Sequence, residues 1–406
     1  MNTPPPSIFL DVTSACQSPL NTGVKRMQRG LHGWLSQMPG YCPVYWQSAL
    51  RGYRKLGPRD LGNLEPRESS HVGGLGLYDL PFGGTLADRL QARGDAALRL
   101  SWPEDWRTGD LVLVPDLLWD NRGCFFRGLA GGRARTVGVF HDAIGLRRGW
   151  KAGIDPFFCA RGVRALSRFD LVLCISREAE ADLLYYWEKF GVSPAPTHVA
   201  PWPVPFAGSR PPEPAHPGDR SVLYVARLEE HKNHLGLLDA CEMLWSGGVR
   251  FRLRLIGCNA YPWYSWHVRR RIRRLQKKGR EIDLRGHVSE SDLHAAYRDS
   301  SFTVFPSLIE GFGLPIIESL WHGRPVVCGM NGAMGEVAEG GGCEPVEPSD
   351  PASLSMGIRR LLEEEGHHAM RCSEIRARNF RRWGDYWNGV MAAVSLHARN
   401  RKEQGL

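Results

Sequence analysis

Short apolar, β-branched runs alternate with longer helical patterns on both sides of a proline-rich segment, and this alternation limits the chain to one class of fold. Prolines crowd residues 201–220, where they remove the backbone donors that a helix or a central strand needs. Alternating strand and helix patterns predict βαβ units with parallel strands. The 406 residues also exceed what one hydrophobic core usually organises. We therefore predict two α/β domains with a cleft between them.

Eight runs have the length and composition of strands, four on each side of the proline-rich segment. They are residues 7–12, 110–115, 136–140, 171–175, 221–226, 252–256, 301–305 and 325–328. No short-period repeat and no low-complexity tract lies outside the proline-rich segment, which excludes solenoid and fibrous folds.

Cysteine usage and the N-terminus predict a reducing compartment. The ten cysteines form no C-x-x-C pair, and several, such as Cys174, lie inside apolar runs as reduced buried thiols do. The N-terminus has neither a basic n-region nor an apolar core, and no run of about 18 apolar residues occurs. We expect a cytoplasmic protein without a membrane span. No His, Cys or Asp cluster has metal-ligand spacing, so no metal is expected.

The net charge of +9 is concentrated in one basic stretch, residues 269–280, which Trp263, Tyr264 and Trp266 precede. Basic residues beside aromatic ones can contact anionic lipid head groups or nucleic acid. The alternative is a solvated helix face. An anionic membrane surface and a solvated face both stay open, and nucleic acid is not expected as a partner.

Residues 301–318 predict a strand, a glycine-bearing loop and a helix, with Pro315 at the first helical position. The free N–H groups of such a helix N-terminus favour a phosphate, and Gly311 and Gly313 let the backbone approach it. Glu318, expected in the first helical turn, could accept hydrogen bonds from two ribose hydroxyls, and Glu310 could lie near a transferred sugar. The alternative is that Glu318 only complements the helix dipole and Glu310 is an ordinary loop residue.

A second unit places two cations after a strand. Arg227 and Lys232 follow residues 221–226, and two cations at the carboxyl end of a strand can clamp a diphosphate and stabilise a departing nucleotide without a metal. The alternative is a pair of surface cations.

A longer succession connects the two units: Arg227, Lys232, Gly257, Gly286, Pro306-Ser307, Glu310-Gly311-Phe312-Gly313-Leu314-Pro315, Glu318 and Gly323-x-Pro325-Val326-Val327. It resembles the C-terminal domain of the retaining family 4 glycosyltransferases (glycosyl transferases group 1), which have the GT-B fold. The resemblance implies diphosphate binding by Arg227 and Lys232 and ribose binding by Glu318. It also implies contact with the donor sugar by Glu310 and by the amides of Gly311, Phe312, Gly313 and Leu314.

The same resemblance implies the architecture. Two Rossmann-like domains face each other across a cleft, and a C-terminal helix crosses back to the first domain. We expect an acceptor-binding domain at 1–200, a linker at 201–220, a donor-binding domain at 221–378 and the returning helix at 379–406.

The N-terminal half resembles the family more loosely. Gly23 opens an amphipathic helix and matches the glycine loop that approaches the donor phosphate, although a plain capping loop is the alternative. His141 ends a strand where the family often places a cleft histidine next to the donor sugar. Glu310 and His141 are therefore the candidate catalytic residues. Asp116, Trp119 and Asp142 are candidate acceptor-side residues, and Ser176 is expected to cap the helix from Arg177.

The resemblance implies an enzyme that moves a hexose from a nucleoside diphosphate sugar to a saccharide or lipid-linked saccharide with retention of configuration. Surface polysaccharide or glycoconjugate assembly is the expected setting, with association at the inner face of the membrane, and no cofactor or metal is required. The alternatives are a non-catalytic GT-B protein that binds membranes, a nucleotide-sugar epimerase or a sugar phosphorylase. A phosphorylase needs a pyridoxal-binding lysine, for which no motif occurs.

Overall fold

The computed structural model describes residues 6–17, 22–48, 52–64, 106–118, 120–127, 134–149, 156–206 and 220–403. Within these ranges the chain forms two separate sheets, each flanked by helices. No helix in the described ranges combines the length and the apolar character needed to cross a membrane.

The first sheet has seven strands in the order β3-β2-β1-β4-β5-β6-β7, and every pair except β2 and β3 is parallel. Parallel strands covered by helices on both faces need nearly continuous apolar residues, and all four residues of β4 and of β6 are buried. The strands are β1 (Ile8–Asp11), β2 (Tyr41–Gln47), β3 (Gly52–Lys55), β4 (Leu111–Val114), β5 (Arg135–Phe140), β6 (Leu171–Cys174) and β7 (Thr197–Val199).

The second sheet has six parallel strands in the order β10-β9-β8-β11-β12-β13. In each sheet the strand order reverses once, between β1 and β4 and between β8 and β11, and ligands of open α/β sheets bind beyond the carboxyl ends at such points. The strands are β8 (Ser221–Val225), β9 (Arg252–Ile256), β10 (Ile282–Arg285), β11 (Phe302–Phe305), β12 (Val326–Gly329) and β13 (Cys343–Val346).

Helices connect these strands. In the first half they are Thr13–Gln17, Gly23–Leu35, Pro58–Leu64, Arg122–Arg127, Ile144–Arg148, Pro156–Leu166 and Arg177–Lys189. In the second half they are His234–Ser246, Pro262–Lys277, Glu290–Arg298, Leu314–Trp321, Gly332–Ala338, Pro351–Glu363, Glu365–Ala377 and Trp383–Glu403.

The last helix, Trp383–Glu403, packs against the first sheet's domain. Arg135 Nη1 on β5 donates to the carbonyl oxygen of Val394 at 3.1 Å. The ring of Trp383 lies over Gly30, where an added Cβ would be 2.4 Å from the ring. The C-terminal helix therefore crosses back to the first domain.

The described part of the proline-rich segment, residues 201–206, is buried rather than exposed. Trp202, Val204 and Phe206 are almost inaccessible to solvent. The Trp202 ring stacks on Tyr386 of the last helix with ring centroids 5.2 Å apart. This stretch belongs to the core, and residues 207–219 lie outside the described ranges.

All eight predicted strands are present, each within one residue of its predicted bounds. Five further strands were not predicted, and four of them, β3, β7, β10 and β13, are the edges of the two sheets. These edge strands carry polar residues or prolines, as β13 does at the buried Glu344 and at Pro345, so they lack the apolar signature of a central strand.

Candidate functional site

The centre of the candidate site is the glycine loop, residues 310–313, which leads from β11 into the helix Leu314–Trp321. Gly313 has φ +104°, a left-handed conformation that a side chain rarely adopts, and it forms the N-cap. The helix begins at Leu314, so Pro315 is its second residue and not its first. Pro315 carries no N–H and Ile316 N donates to the carbonyl oxygen of Gly313 at 2.9 Å, so the attraction for an anion at this helix N-terminus comes mainly from the helix dipole.

The glycine loop packs on the strand ends of the first domain. A Cβ on Gly311 would lie 2.4 Å from the carbonyl oxygen of His141 and 2.7 Å from Cβ of Asp142. The Ser176 hydroxyl donates to the carbonyl oxygen of Gly311 at 2.8 Å, and it also caps the helix Arg177–Lys189 by accepting from Ala179 N. The two domains therefore touch at the glycine loop, and the predicted cap at Ser176 is confirmed.

Lys232 and Glu310 form an ion pair beside the glycine loop. The distance from Nζ to Oε1 is 2.6 Å, and the two side chains are 18% and 8% exposed. The loop that carries Lys232 is tied to the glycine-loop segment because Leu308 N donates to the carbonyl oxygen of His231 at 2.8 Å. Two loops from neighbouring strands thus bring a cation and a carboxylate to the same point.

Arg227 lies at the carboxyl end of β8, as predicted, and pairs with Glu229 at 3.2 Å. Its side chain remains 48% exposed, so the guanidinium is more accessible than the Lys232 ammonium. The two cations occupy the same loop, and each is balanced by a carboxylate in this structure.

Glu318 differs from its predicted placement. It is the fifth residue of its helix and lies in the second turn, where the dipole of the first turn no longer explains it. The residue is 2% exposed. Its Oε1 accepts from Arg26 Nη1 at 2.6 Å, and its Oε2 accepts from the Tyr297 hydroxyl at 2.8 Å. Burial raises the pKa of Glu318, and the Arg26 charge opposes that rise.

His141 and Asp142 follow β5 and lie against the glycine loop. His141 is 3% exposed, with Nε2 3.3 Å from the carbonyl oxygen of Pro115, and burial lowers its pKa to about 4. The imidazole is therefore neutral near pH 7. Asp142 accepts from Ile144 N at 2.9 Å, and burial together with the neighbouring Glu310 charge raises its pKa to about 6.

Asp116, a predicted acceptor-side residue, lies in a buried ion cluster of the first domain. Its carboxylate is 4% exposed and accepts from Arg122 Nη2 at 2.8 Å. Arg122 also pairs with Asp11 and Asp120, at 2.6 and 2.9 Å. Arg122 thus holds the Asp116 carboxylate inside the first domain, where the ion pairs offset the cost of burying these charges. Trp119 lies outside the described residues.

Gly23 faces the second domain. A Cβ on this residue would lie 3.3 Å from Cδ1 of Leu314, the first residue of the helix after the glycine loop. The helix that Gly23 opens, Gly23–Leu35, has the predicted amphipathic character, with Met27, Leu31 and Leu35 buried. Gly23 therefore lies across the cleft from the glycine loop.

Sequence reasoning missed three groups at this junction. Arg26 binds Glu318 from the first domain, and Tyr297 binds it from the helix Glu290–Arg298. Glu336, in the segment Gly335-Glu336-Val337, accepts from the backbone N–H groups of Arg177 and Glu178 at 2.8 and 2.9 Å. Two signals were available: Arg26 lies a single helical turn beyond Gly23, and Gly335-Glu336-Val337 resembles a segment of the family, to which no chemistry is assigned. Tyr297 carries no local pattern.

Comparison with known proteins agrees with this geometry. Residues 208–378 match the family described as Glycosyl transferases group 1. The O-antigen chain mannosyltransferase B of Escherichia coli is 33% identical over 144 residues, which are 36% of this chain and 37% of that protein. The GDP-mannose-dependent alpha-(1-6)-phosphatidylinositol dimannoside mannosyltransferase of Mycobacterium tuberculosis is 28% identical over 169 residues, 41% of this chain and 42% of that protein. The matches thus span about two fifths of the length of these relatives.

Among solved structures, the Anabaena protein Alr3699/HepE in complex with UDP and glucose is similar over nearly the whole chain. The TM-score is 0.66 at 15% identity, over 96% of this chain and 99% of that one. The predicted fold class is therefore confirmed: the chain has the GT-B fold, and its residues 208–378 match the group 1 glycosyl transferases.

Proposed function

We propose that the protein is a retaining family 4 glycosyltransferase that moves a hexose from a nucleoside diphosphate sugar to a saccharide or lipid-linked saccharide. The observation that carries this proposal is the glycine loop at the N-terminus of the helix Leu314–Trp321, packed on His141 and flanked by the Lys232–Glu310 pair. The match of residues 208–378 to group 1 glycosyl transferases supports the same activity.

Each side chain has a role that its position suits. The diphosphate would lie at the helix N-terminus, where Lys232 and Arg227 balance the charge that develops as the nucleotide leaves. Glu318 would accept the ribose hydroxyls. Glu310 and the neutral His141 would contact the sugar and orient it toward the acceptor. These cations do what a divalent metal does in other transferases, so we propose that transfer proceeds without one.

The donor we propose is GDP-mannose. Two of the relatives are named as mannosyltransferases, and one name specifies dependence on GDP-mannose. The acceptor we propose is a growing saccharide in surface polysaccharide or glycolipid assembly, the setting that the names of these relatives indicate.

Calorimetry with GDP, UDP and ADP tests the donor site. We expect wild type to bind one of them, GDP first, and the double variant Lys232→Ala with Glu318→Ala to lose that binding. Lys189→Ala, an exposed lysine of the first domain, should bind as wild type does. Absence of nucleotide binding by wild type would overturn the proposal in favour of a non-catalytic GT-B protein.

Turnover tests the reaction itself. Slow hydrolysis of GDP-mannose, followed by NMR of the released sugar, should first give the α-anomer that the donor carries, because retention preserves that configuration. The initial appearance of the β-anomer would refute retention. Turnover unchanged by EDTA supports the metal-free scheme, and restoration by Mg²⁺ after EDTA would refute it.

We also propose that an anionic membrane surface is a partner, through the basic helix Pro262–Lys277. Its outward face carries Trp263 and Trp266, 54% and 53% exposed, followed by exposed cations. These are Arg270, Arg273, Arg274 and Lys277. Three further cations of the basic stretch are paired with carboxylates, since Arg271 pairs with Asp239 and both Lys278 and Arg280 pair with Glu242. Exposed indole rings beside a row of cations suit a lipid interface.

Vesicle sedimentation tests the membrane proposal. Wild type should bind vesicles that contain phosphatidylglycerol, and the reversal of Arg270, Arg273 and Arg274 to Glu should abolish binding. Reversal of Arg252, Arg285 and Arg359, which are about equally exposed in the same domain, makes the same change in net charge and should leave most of the binding. Equal loss of vesicle binding in both variants would show that binding depends only on net charge, and it would refute a defined membrane-binding surface on this helix.

A further inference from the structure

Arg26 crosses the cleft between the two domains and bridges two carboxylates. It lies on the helix Gly23–Leu35 of the first domain and is 12% exposed. Nη1 is 2.6 Å from Oε1 of Glu318, and Nη2 is 2.9 Å from Oε2 of Glu290. The guanidinium also lies over the Phe206 ring, 4.9 Å from its centroid. Three contacts on three different segments fix its orientation.

We propose that Arg26 is a positioning residue of the donor site: from the opposite domain it holds the Glu318 carboxylate in the orientation that two ribose hydroxyls need. This inference rests on the proposed function, because it requires that Glu318 bind a ribose. The sequence motif around Glu318 does not include Arg26, because Arg26 lies 292 positions away along the chain.

The hydrogen-bonding capacity of the carboxylate supports the role. An ionised carboxylate has two acceptor positions on each oxygen. Arg26 occupies one position on Oε1 and Tyr297 occupies one on Oε2. With respect to the residues that the structure describes, one position on each oxygen therefore remains, which matches the two vicinal hydroxyls of a ribose. Because Arg26 and Tyr297 come from different elements, the carboxylate plane is fixed from two directions.

The charges around Glu318 give Arg26 a second effect. The carboxylate is faced by Arg26 from the first domain and by Glu290 and Tyr297 from the helix Glu290–Arg298. A hydrogen-bonded histidine pair, His294 and His322, lies beside it, and burial lowers the pKa of both. Arg26 is thus the cation that opposes the effect of burial on the pKa of Glu318, and its removal leaves the carboxyl group easier to protonate.

This arrangement makes access to Glu318 depend on the first domain, which supplies Arg26. Glu318 is 2% exposed, so a ribose reaches it only after the cleft opens. The second domain alone then presents a carboxylate that lacks its cation. When the domains close on the donor, Arg26 returns to Glu318 and restores the charge and the orientation. Arg26 therefore orients Glu318 only in the closed arrangement that this structure shows.

Two variants and two ligands test the proposal. The probes are the ribonucleoside diphosphate that wild type binds best and its 2′,3′-dideoxy analogue, which lacks the hydroxyls for Glu318. Arg26→Met should weaken binding of the ribonucleoside diphosphate about 10- to 100-fold, which is the effect expected from the loss of charge-assisted hydrogen bonds. It should leave the dideoxy analogue within about 2-fold of wild type. Arg26→Lys should recover part of the loss because it keeps the charge.

The pH dependence separates positioning from a structural role. The loss in Arg26→Met should be larger at pH 6 than at pH 8, since a protonated Glu318 accepts fewer hydrogen bonds. Arg177→Met is the matched control, because Arg177 also crosses the domains, to Glu336 and Glu339, without approaching Glu318. It should bind both ligands as wild type does, at either pH.

The opposite outcomes are distinct. Equal weakening of both ligands by Arg26→Met, at both pH values, would overturn the proposal and leave Arg26 a structural residue. Tighter ribonucleotide binding would overturn it by showing that Arg26 competes with the ribose for Glu318. If wild type binds no nucleotide, the proposed function itself fails. If wild type binds in a Glu318-dependent way and Arg26→Met changes nothing, only this inference fails.

Discussion

The two domains present their site residues in different ways. In the second domain the candidate residues follow strand ends in short motifs, such as Glu310 to Glu318 after β11 and Arg227 to Lys232 after β8. In the first domain they are a single glycine, a buried histidine and a serine cap, separated by long stretches of chain. The difference teaches that the candidate donor site is encoded in short local motifs, whereas the first-domain surface that covers it depends on contacts between residues far apart in the sequence.

The contacts across the cleft make the same point. Arg26 to Glu318, Ser176 to Gly311 and Arg177 N to Glu336 each join residues more than 130 positions apart. Of the three first-domain residues, the sequence pattern selects only Ser176, and it selects that residue as a helix cap and not for its contact with Gly311. If the proposed function holds, the first domain contributes closure and orientation, and the second contributes charge.

Removal of the Lys232 charge should cause the largest loss of transfer rate. It is the strongest test of the division of roles between the two domains. Lys232→Met should lower the transfer rate about 100- to 1000-fold, because one preorganised charge on the leaving group is lost and Glu310 keeps an unpaired charge. Arg227→Met should cost less, since its more exposed guanidinium is better screened by solvent. Steady-state kinetics with the donor measures both.

The matched control in the first domain is Lys189→Met, which removes the same charge at an exposed helix end. We expect wild-type rates from it. A Lys232→Met variant that keeps its kcat and raises only KM would place the lysine in ground-state binding and break the division between charge and closure.

Sequence alone gave the class of fold, the eight strands whose residues are mostly apolar, and the loop positions of Arg227, Lys232 and Glu310. It could not give the edge strands, because polar residues or prolines within them interrupt the apolar run, as Glu344 and Pro345 do in β13. It also could not give the partners of the site residues. The burial of Glu318 under Arg26 and the enclosure of Asp116 by Arg122 depend on packing between distant segments, which no local spacing encodes.

Substitution of Gly311, where the glycine loop contacts the first domain, should cause the next largest loss of transfer rate. A Cβ in Gly311→Ala would lie 2.4 Å from a backbone oxygen, so the glycine loop must move away from His141. A displacement of about 1 Å at a reacting centre can cost about 100-fold in rate. Gly286→Ala is the control, because a Cβ there meets no atom within 4 Å. Equal activity of the two variants would show that the domains need not touch at this point during turnover.

Two adjacent residues of the first domain, His141 and Asp142, should affect the pH dependence of stability in opposite directions. Between pH 4 and 6.5 the unfolded chain holds a proton on His141 that the folded protein lacks, since the folded pKa is about 4. Unfolding therefore takes up a proton, and stability rises with pH in this window. Asp142 has the opposite sign, because its folded pKa of about 6 keeps a proton that the unfolded chain releases.

We expect His141→Gln to reduce the slope of unfolding free energy against pH, and Asp142→Asn to increase it. Each change should approach about 1.4 kcal/mol per pH unit. Urea unfolding at pH 4.5, 5.0 and 5.5, followed by tryptophan fluorescence, measures the slopes. The double variant should return to the wild-type slope. Slopes that change in the same direction would mean that one of the two groups is solvated in the folded protein.

Substitution of two serines that cap helices should have the smallest effect on stability and transfer rate. The two serines also form the most closely matched pair of residues in the two domains. Ser176 caps a first-domain helix by accepting from Ala179 N at 3.0 Å, and Ser289 caps a second-domain helix by accepting from Asp292 N at 3.0 Å. Replacement of either by Ala should cost about 1 kcal/mol of stability.

Only Ser176 also donates across the cleft, to Gly311. Ser176→Ala should therefore lower the transfer rate about 3- to 10-fold, the equivalent of one lost hydrogen bond, while Ser289→Ala keeps the wild-type rate. Chemical denaturation and donor kinetics on the same samples separate the two losses. If both variants lose stability and neither loses activity, the hydrogen bond from Ser176 to the glycine loop does not form in the reacting enzyme, and closure must rest on Arg26 and Glu336.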